Sequence, residues 1–592
     1  MDKILDRMTK EMEQAFAGAG YSAEYGRVSP SNRPDLCEYQ CNGAMAAAKA
    51  YHTAPLAIAN AVADRLSGND MFASVEAVKP GFLNLTISGE FLVEYLNAMY
   101  DDDRLGSEAV GHGEIILVDY GGANVAKPLH IGHLRSAIIG ESVKRLGSFM
   151  GYHMIGDVHL GDWGLQMGLI IEELRDRSPE LIYFEEDYSG EYPKEPPFTI
   201  GELEEIYTAA SRKSKEDPVF LDRARETTYR LQSGFPTYRA LWRHIMDVSV
   251  ADLKANYDRL DVHFELWKGE SDAQAYIPFV IEDLTGRGIA RESEGALVVP
   301  VAEEGDAKEL PPCIIQKSDG ASLYATSDIA TIVEREEDFS PIQYIYLADK
   351  RQQLHFTQVF RVVKKAGYVE PSVPMIHIGF GTMNGKDGKP FKTREGDVMR
   401  LEYLIDDINE AVYRRILDNR EISEEGARAT ADIVGLAALK YGDLSNQASK
   451  DYVFDMDRFT SFEGNSGPYL LYTIVRMKSI LKKYDETGKE AAVDADLARI
   501  LPAATKEERE LMLALAQFNS VMENAFAETA PHKVCAYLYD LANAFNRFYH
   551  ETKILTCGEE TRRLGYIRLL TLTRRVMERG IWTLGFEAPD RM

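Results

Sequence analysis

The sequence predicts an α/β protein: a doubly wound parallel sheet between a small α+β segment and an all-helical C-terminal third. Buried-strand candidates "EIILVD", "YHMIGDVHL", "IQYIYLAD" and "PMIHIGFG" alternate with helical stretches, which is typical of parallel sheets. Before them, an amphipathic helix is followed by short strands around a Pro-Gly turn; after about residue 400 only helical patterns such as "PYLLYTIVRMKSILKKY" remain. At 592 residues and 45% apolar content the chain can bury several cores.

These patterns divide the chain into four predicted domains. We interpret the charged, mostly helical stretch within the sheet domain as an insertion that packs around the sheet. The predicted boundaries are residues 1–108 for the α+β domain, 109–400 for the sheet domain with its insertion at about 172–250, 401–455 for a helical connector and 456–592 for the helical C-terminal domain.

Composition restricts the class of protein. The formal net charge is −27, from 94 acidic against 67 basic residues, which disfavours a protein that coats nucleic acid along its whole surface. No apolar run is long enough to span a bilayer, so we expect no membrane association. The cysteines form neither a disulfide framework nor a CxxC pair, which predicts a reduced, cytoplasmic protein without a zinc site. They are Cys37, Cys41, Cys313, Cys535 and Cys557.

The stretch "KPLHIGHLRS" places two histidines around a glycine, between a strand with its glycine loop and the start of a helix. Such a helix start brings backbone N–H groups and the positive end of the helix dipole to one point, where a phosphate chain can rest. His130 and His133 could donate hydrogen bonds to phosphate oxygens, and Gly132 lets a base or ribose approach the backbone. A chance HxGH is the alternative for this motif taken alone.

Further motifs turn this pattern into a family resemblance. "VDYGGANVAKPLHIGHLRSAIIGE" resembles the signature of class I aminoacyl-tRNA synthetases, and "NVAKPLHIGHLRS" is similar to its arginyl-tRNA synthetase form. "GDVHLGDWGLQMG", "GKDGKPFKTREGD" and the ending "GFEAPDRM" resemble later motifs of that family, in the same order. The resemblance implies a Rossmann-like catalytic domain with HIGH and divergent KMSKS motifs, a small N-terminal α+β domain that contacts the tRNA elbow, and an all-α anticodon-binding domain.

The resemblance also implies an arginine-tRNA ligase that uses L-arginine, tRNA(Arg) and ATP with Mg²⁺, works as a monomer and needs tRNA for activation. His130 and His133 would hold ATP through the transition state. Aligning "KPFKTR" on the KMSKS loop places Thr393 where most class I enzymes have a lysine. Lys127 is the suggested replacement, and Lys389 and Lys392 on the loop are competing candidates or merely solvated charges.

The implied amino-acid site must match a planar guanidinium with fixed acceptors and an aromatic face. Asp119 ends the first strand, at the sheet edge where ligands of such folds bind. Tyr324 and Asp328 share one face if "GASLYATSDIATIVE" is helical, although an N-cap or surface role is the alternative for Asp328. By motif match the site also includes Asn124 and Gln352, of which Gln352 adjoins a second glutamine.

RNA contacts are predicted at three places. Tyr472 and Arg476 lie at helical spacing and could present a stacking ring and a guanidinium to an anticodon base, whereas Tyr469 fits core packing better. Phe82 and Asn84 match the family's elbow contact, with burial as the alternative for Phe82. The arginines of the late basic run could contact phosphates, with a solvated helix face as the alternative. They are Arg562, Arg563, Arg574 and Arg575.

Two other functions remain open on sequence. A small-molecule nucleotidyltransferase of the HxGH type would not need the helical third of the chain. A synthetase-derived RNA-binding or regulatory paralogue would have lost its chemistry, which the presence of His130, His133, Asp119 and Asp328 argues against. No protein-bound metal is predicted.

Overall fold

The computed structural model describes residues 1–33, 35–185, 188–318, 320, 323–389, 399–417, 423–486 and 499–592. The chain forms two compact units. The terminal unit contains Met1–Val110, Ser461–Thr583 and Glu587–Met592, and the central unit contains Gly111–Thr460 and Leu584–Phe586. Among the described helices, none is both long and apolar enough to cross a membrane.

The N-terminal segment is an antiparallel sheet covered by helices. The strand order is β1-β2-β4-β3, and in β4 Leu83, Leu85 and Ile87 are fully buried while the residues between them face outward. This alternation has the period of a half-buried strand. The elements are α1 (Ile4–Gly18), β1 (Val28–Pro30), β2 (Tyr39–Cys41), α2 (Gly43–Tyr51), α3 (Pro55–Arg65), β3 (Phe72–Val78), β4 (Phe82–Ile87) and α4 (Gly89–Asp101).

The central unit is built on a parallel four-stranded sheet of order β11-β10-β5-β6. Helices cover the sheet, and its middle strands are apolar runs buried on both faces. The elements are β5 (Ile115–Asp119), α5 (Ile131–Phe149), β6 (His153–Asp157), α6 (Leu165–Arg177), α7 (Ile200–Glu216), α8 (Pro218–Gln232), α9 (Pro236–Arg259), α10 (Ile277–Gly286), β7 (Arg291–Ser293), β8 (Ala296–Val299), β9 (Cys313–Gln316), α11 (Tyr324–Asp338), β10 (Gln343–Asp349), α12 (Gln353–Ala366), β11 (Met375–Phe380), β12 (Met383–Asn384), α13 (Leu401–Leu417), α14 (Glu424–Leu444), β13 (Tyr452–Val453) and α15 (Met456–Phe459).

The four strands of this sheet are the four predicted from the sequence, and the α/β class is confirmed. The second sheet of this unit, of order β7-β8-β9, has no counterpart among the strands predicted from the sequence. Glu294 and Gly295 join its first two strands with positive φ angles of 52° and 78°, a two-residue turn that fits the twist of a hairpin. The prediction that no strand follows residue 400 was wrong at β13, whose two residues are too few to leave a periodic signal.

The C-terminal segment is helical, as predicted. A serine or threonine caps two of its helices: the Ser466 side chain accepts from the N–H of Tyr469, and the Thr505 side chain accepts from the N–H of Glu508. The helices are α16 (Gly467–Asp485), α17 (Lys506–Leu515), α18 (Phe518–Ala527), α19 (Pro531–Glu551) and α20 (Glu560–Thr583).

Polar contacts join the N-terminal and C-terminal segments within the terminal unit. The guanidinium of Arg509 binds both carboxylate oxygens of Glu38. The buried amide of Asn97 donates to the carbonyl of Ile500 over 3.1 Å and accepts from its N–H over 3.0 Å. Because a buried amide needs such partners, these contacts fix the two segments against each other.

Candidate active site

The candidate site lies where the order of the parallel sheet reverses. From β5 the chain passes through α5 to β6 on one side, while β10 pairs with β5 on the other. Ligands of open parallel sheets bind at the carboxyl ends of the strands beside such a reversal. Asp119, the last residue of β5, lies at this edge, and the loop that follows it leads to the two histidines.

The histidines hold each other at the start of α5. The N–H of Gly132 donates to Nδ1 of His130 over 3.0 Å, and the N–H of His130 donates to Nδ1 of His133 over 3.2 Å. Because a ring nitrogen that accepts a hydrogen bond carries no proton, each neutral ring has its proton on Nε2. The ring centroids are 4.0 Å apart. The arrangement provides two neighbouring Nε2–H donors.

Both rings are held in the neutral form. Burial, then the charges of His130 and Lys127, lower the pKa of His133 to about 3. Burial and Lys127 also lower the pKa of His130. Neutral imidazoles can still donate to phosphate oxygens through Nε2–H.

The main-chain donors at this helix start are already used, which corrects the expectation that they meet a phosphate. The N–H of Ile131 donates to the carbonyl of Met399 over 3.1 Å, and that of His133 to the carbonyl of His130 over 2.8 Å. With Gly132 bonded to the His130 ring, the imidazoles rather than the backbone are the available donors. A Cβ at Gly132 would lie 2.7 Å from Cε1 of His130, so the glycine also makes room for the ring.

Lys127 lies beside the histidines, as its effect on both pKa values shows. Its Nζ is 4.8 Å from the ring centroid of Tyr207 on α7, a cation–π contact that the sequence did not reveal. On the same helix, Glu204 forms an ion pair with Arg400. Helix α7 therefore forms one wall next to the histidine motif.

The segment that follows the predicted KMSKS loop pairs with the start of the histidine motif. Arg400 forms an antiparallel bridge with His130, and the N–H of Leu401 donates to the carbonyl of Leu129 over 2.9 Å. On the entry side Lys389 is exposed, and its carbonyl accepts from the N–H of Gly385. The predicted ATP ligands Lys392 and Thr393 lie outside the described residues.

Asp119 is ion-paired inside the protein. Its Oδ2 lies 2.7 Å from Nη2 of Arg335, and the same nitrogen lies 2.6 Å from Oδ2 of Asp157, the last residue of β6. Burial raises the pKa of Asp119 despite the guanidinium. Asp157, Asp119 and His159 are close enough to suggest a metal site, but Arg335 already supplies the positive charge between the two carboxylates.

Asn124 pairs with the neighbouring glycine-containing segment. It forms a parallel bridge with Gly161, and a Cβ at Gly161 would lie only 2.1 Å from Oδ1 of Asn124. A side chain at position 161 would therefore displace the amide. The close approach accounts for the first glycine of "GDWG" and places Asn124 in the loop between Asp119 and the histidines.

Tyr324 and Asp328 lie one turn apart on α11, as their spacing predicts. Oδ2 of Asp328 is 2.5 Å from Nε2 of His355. Tyr324 is exposed over 73% of its surface. Partial burial and the charges of Glu270 and Asp328 raise its pKa. The tyrosine hydroxyl therefore lies within electrostatic reach of both carboxylates.

Sequence reasoning missed Glu270. Burial, together with the charges of Asp162 and Asp328, raises the pKa of Glu270 to about 7. The N–H of Glu270 donates to the carbonyl of Leu160 over 3.0 Å, so pairing between distant segments positions it. No local pattern marks such a residue; only the tertiary structure brings it to Asp328.

Gln352 ends a 3₁₀ helix before α12 and is exposed. The adjacent Gln353 is engaged elsewhere: its Oε1 lies 3.0 Å from Nδ1 of His377, and its Nε2 donates to Thr357. The role of Gln352 as an arginine ligand stays a prediction.

Comparisons with known proteins agree with this geometry. Residues 95–456 match the family described as tRNA synthetases class I (R), catalytic domain; residues 470–592 match the DALR anticodon binding domain, and residues 2–87 match the arginyl tRNA synthetase N terminal domain. An arginine–tRNA ligase of Agathobacter rectalis is 59% identical over 599 residues, and one of Alkaliphilus oremlandii is 51% identical over 592 residues, each covering 100% of both chains. The chain belongs to the arginyl-tRNA synthetase family.

Solved structures support the fold of this arginyl-tRNA synthetase family member. The arginyl-tRNA synthetase of Plasmodium falciparum aligns with a TM-score of 0.82, and that of Thermus thermophilus with 0.79. Each alignment covers 100% of both chains at 22% sequence identity. The predicted class I architecture, with its N-terminal and helical C-terminal domains, is confirmed.

Within residues 470–592, which match the DALR anticodon binding domain, Arg476 lies between two tyrosine rings. Its Cζ is 4.9 Å from the ring centroid of Tyr472 and 5.2 Å from that of Tyr549, and Nη1 donates to Oδ1 of Asn546 over 2.7 Å. Asn546 in turn donates to the hydroxyl of Tyr469. The partly exposed ring of Tyr472 and this fixed guanidinium have the composition of a base-stacking platform.

The other RNA candidates differ in how they are engaged. Phe82 and Asn84 lie on the outward face of β4, where Nε2 of Gln40 donates to Oδ1 of Asn84 over 2.9 Å. In the late basic run, Arg562 and Arg575 donate to backbone carbonyls of Pro502 and Tyr100. The remaining two bind or approach acidic side chains: Arg563 with Glu560 and Arg574 with Glu578. These contacts favour a structural role for the basic run.

Proposed function

We propose that the protein is an arginine–tRNA ligase. A carboxylate oxygen of L-arginine attacks the α-phosphorus of ATP, and the bond to pyrophosphate breaks, which gives arginyl-adenylate. The 2′-hydroxyl of the terminal adenosine of tRNA(Arg) then attacks the acyl carbon, and AMP and a proton are released. Family membership and the site geometry support this reaction.

The choice of arginine rests on the acidic side chains near the sheet edge. The charge of Asp328 acts on both Glu270 and Tyr324. Asp119 ends β5 at this edge and is bound to Arg335, which lies on the same face of α11 as Asp328. A cluster of partly buried carboxylates binds a cation and rejects an uncharged analogue, because that analogue would leave charge unpaired. Asn124 and Gln352 add polar contacts for the same ligand.

ATP is bound on the neighbouring side. Nε2–H groups of His130 and His133 donate to phosphate oxygens, and a base or ribose approaches beside the exposed Gly132. Lys127 compensates negative charge on the leaving pyrophosphate, with Lys389, Lys392 and Thr393 contributing from the loop. Mg²⁺ arrives with ATP and neutralises its phosphates. Catalysis consists mainly of alignment and charge stabilisation.

tRNA binds through the N-terminal and C-terminal domains. Tyr472 and Arg476 contact an anticodon base, and Phe82 and Asn84 contact the elbow. The predicted domain limits at 108, 400 and 455 separate these surfaces from the catalytic sheet. Activation of arginine requires bound tRNA, and the enzyme acts as a monomer in the cytoplasm.

The test is charging of bulk tRNA by the purified protein with ATP, Mg²⁺ and each of the twenty labelled amino acids. The proposal expects esterification of arginine alone and its loss in His133→Ala. Charging of another amino acid, or binding of arginine tRNA without any charging, would overturn it; the latter would favour a regulatory paralogue. Omitting tRNA and following pyrophosphate exchange tests the requirement for tRNA.

A further inference from the structure

Arg335 is a buried arginine that no motif singled out. It lies on α11 seven residues after Asp328, about two helical turns, and therefore on the same face of that helix. One helix thus supplies Asp328 to one part of the candidate arginine pocket and Arg335 to another.

The guanidinium of Arg335 spans three neighbouring strands. Tyr346 of β10, Asp119 of β5 and Asp157 of β6 are aligned side by side in the sheet. Nη1 donates to the Tyr346 hydroxyl over 3.0 Å, while Nη2 donates to Asp119 over 2.7 Å and to Asp157 over 2.6 Å. The planar fork of an arginine matches this row, whereas a lysine ammonium could not reproduce its fixed geometry.

Exposure distinguishes the two carboxylates. The side chains of Arg335 and Asp157 are 2% and 1% exposed, but that of Asp119 is 17% exposed. Asp157 is therefore enclosed with the guanidinium, and Asp119 is the member of the group that a ligand can reach. Two carboxylates and one guanidinium carry a net charge of −1, so one further positive charge would neutralise the group.

We propose that Arg335 is a positioning residue of the arginine site: it orients Asp119 toward the substrate and cancels the charge of Asp157, so that the site accepts one further cation. The inference rests on the proposed role of Asp119 in binding arginine. Without Arg335, two adjacent buried carboxylates repel each other, and Asp119 loses the bond that fixes one of its oxygens.

The test compares Arg335→Ala with the unchanged enzyme in steady-state aminoacylation, with and without millimolar guanidinium chloride. We expect KM for arginine to rise about 100-fold in Arg335→Ala with little change in kcat, because a contact made equally in ground and transition states is lost. Added guanidinium should lower that KM by filling the vacated space. In the unchanged enzyme it should raise KM by competing with the substrate.

Arg145→Ala is the matched control. Arg145 is likewise buried between two carboxylates, with Nε 2.8 Å from Glu141 and Nη2 2.9 Å from Asp261, and neither is a predicted site residue. Guanidinium should raise KM in this variant, as in the unchanged enzyme. A folded Arg335→Ala with unchanged KM, or one whose KM guanidinium raises as much as it raises that of the unchanged enzyme, would overturn the inference.

Two further variants separate the possible failures. If Arg335→Ala does not fold, Arg335→Lys keeps the charge without the fork, and we expect KM for arginine to rise about tenfold; an unchanged KM would contradict the proposal. Asp119→Asn tests the role on which the inference rests. If that variant keeps a normal KM while the enzyme still charges arginine, the role of Asp119 fails but the proposed reaction stands.

Discussion

The phosphate side and the amino-acid side of the candidate site lie at the same sheet edge, yet burial shifts the pKa values of their side chains in opposite directions. On the phosphate side burial lowers the pKa of His133 to about 3 and keeps both imidazoles neutral. On the amino-acid side it raises the pKa of Glu270 to about 7. In both cases burial disfavours the charged form. The role proposed for the histidines needs no charge, whereas a carboxylate that binds a cation must first ionise.

This difference suits the two substrates. Neutral Nε2–H donors can stabilise charge that grows in the transition state without holding the polyphosphate as tightly as fixed cations would. A guanidinium is recognised by its charge and its five donors, so its pocket requires carboxylates.

Asp328→Asn removes a carboxylate from the amino-acid side. We expect kcat/KM for arginine to fall about a thousandfold while KM for ATP changes little, because the pocket loses charge that only the arginine side chain uses. The measurement is steady-state aminoacylation with each substrate varied. Asp338→Asn is the control, since it changes the same helix at a side chain that is 41% exposed and paired with Lys268.

His133→Asn removes a donor from the phosphate side. We expect kcat to fall about 100-fold with KM for arginine nearly unchanged, as for the loss of one transition-state hydrogen bond. His263→Asn, at a side chain that is 57% exposed, should leave both constants unchanged. A rise in KM for arginine with normal kcat would instead assign His133 to the binding of arginine and contradict this prediction.

Lys127→Ala tests which lysine compensates the phosphates. We expect kcat to fall about thirtyfold and Lys127→Arg to recover most of it, because an arginine keeps the charge next to Tyr207. Lys389→Ala should change kcat about twofold at most. A larger loss of kcat in Lys389→Ala than in Lys127→Ala would show that Lys389 of the loop compensates the phosphate charge.

The pH dependence of KM for arginine tests Glu270. Its proton must leave before the carboxylate can bind a cation, so KM should rise about tenfold as the pH falls from 8 to 6, through the pKa of about 7. In Glu270→Gln the KM should be higher and nearly independent of pH over this range. An equally steep profile in that variant would exclude Glu270 as its origin.

Much of the fold was predictable because its signals are local. The buried runs of β5, β6, β10 and β11 and the helical spacing after His130 are each visible in a short window of sequence. The hairpin of β7 and β8 also left a local signal in its turn, Glu294–Gly295, which the sequence analysis passed over. The union of the N-terminal and C-terminal segments in one unit has no such signal, because contacts like Arg509 with Glu38 join residues far apart in the chain.

The site was predictable where residues fall within a motif. His130, His133, Asp119 and Asn124 lie in one continuous stretch, and the sequence placed them together. Their partners were not predictable. Arg335, Glu270 and His355 reach the site from separate elements, and each looks in sequence like an ordinary charged or polar residue of a helix or loop.

The protonation of the two histidines is the most direct test of the division between neutral and charged sides. Nitrogen NMR of protein labelled with ¹⁵N-histidine, assigned with His130→Asn and His133→Asn, reports the tautomer and the titration of each ring. The account predicts neutral rings with the proton on Nε2 and no titration of His133 down to about pH 5. A proton on Nδ1, or titration of His133 near its ordinary pKa of about 6.5, would contradict it.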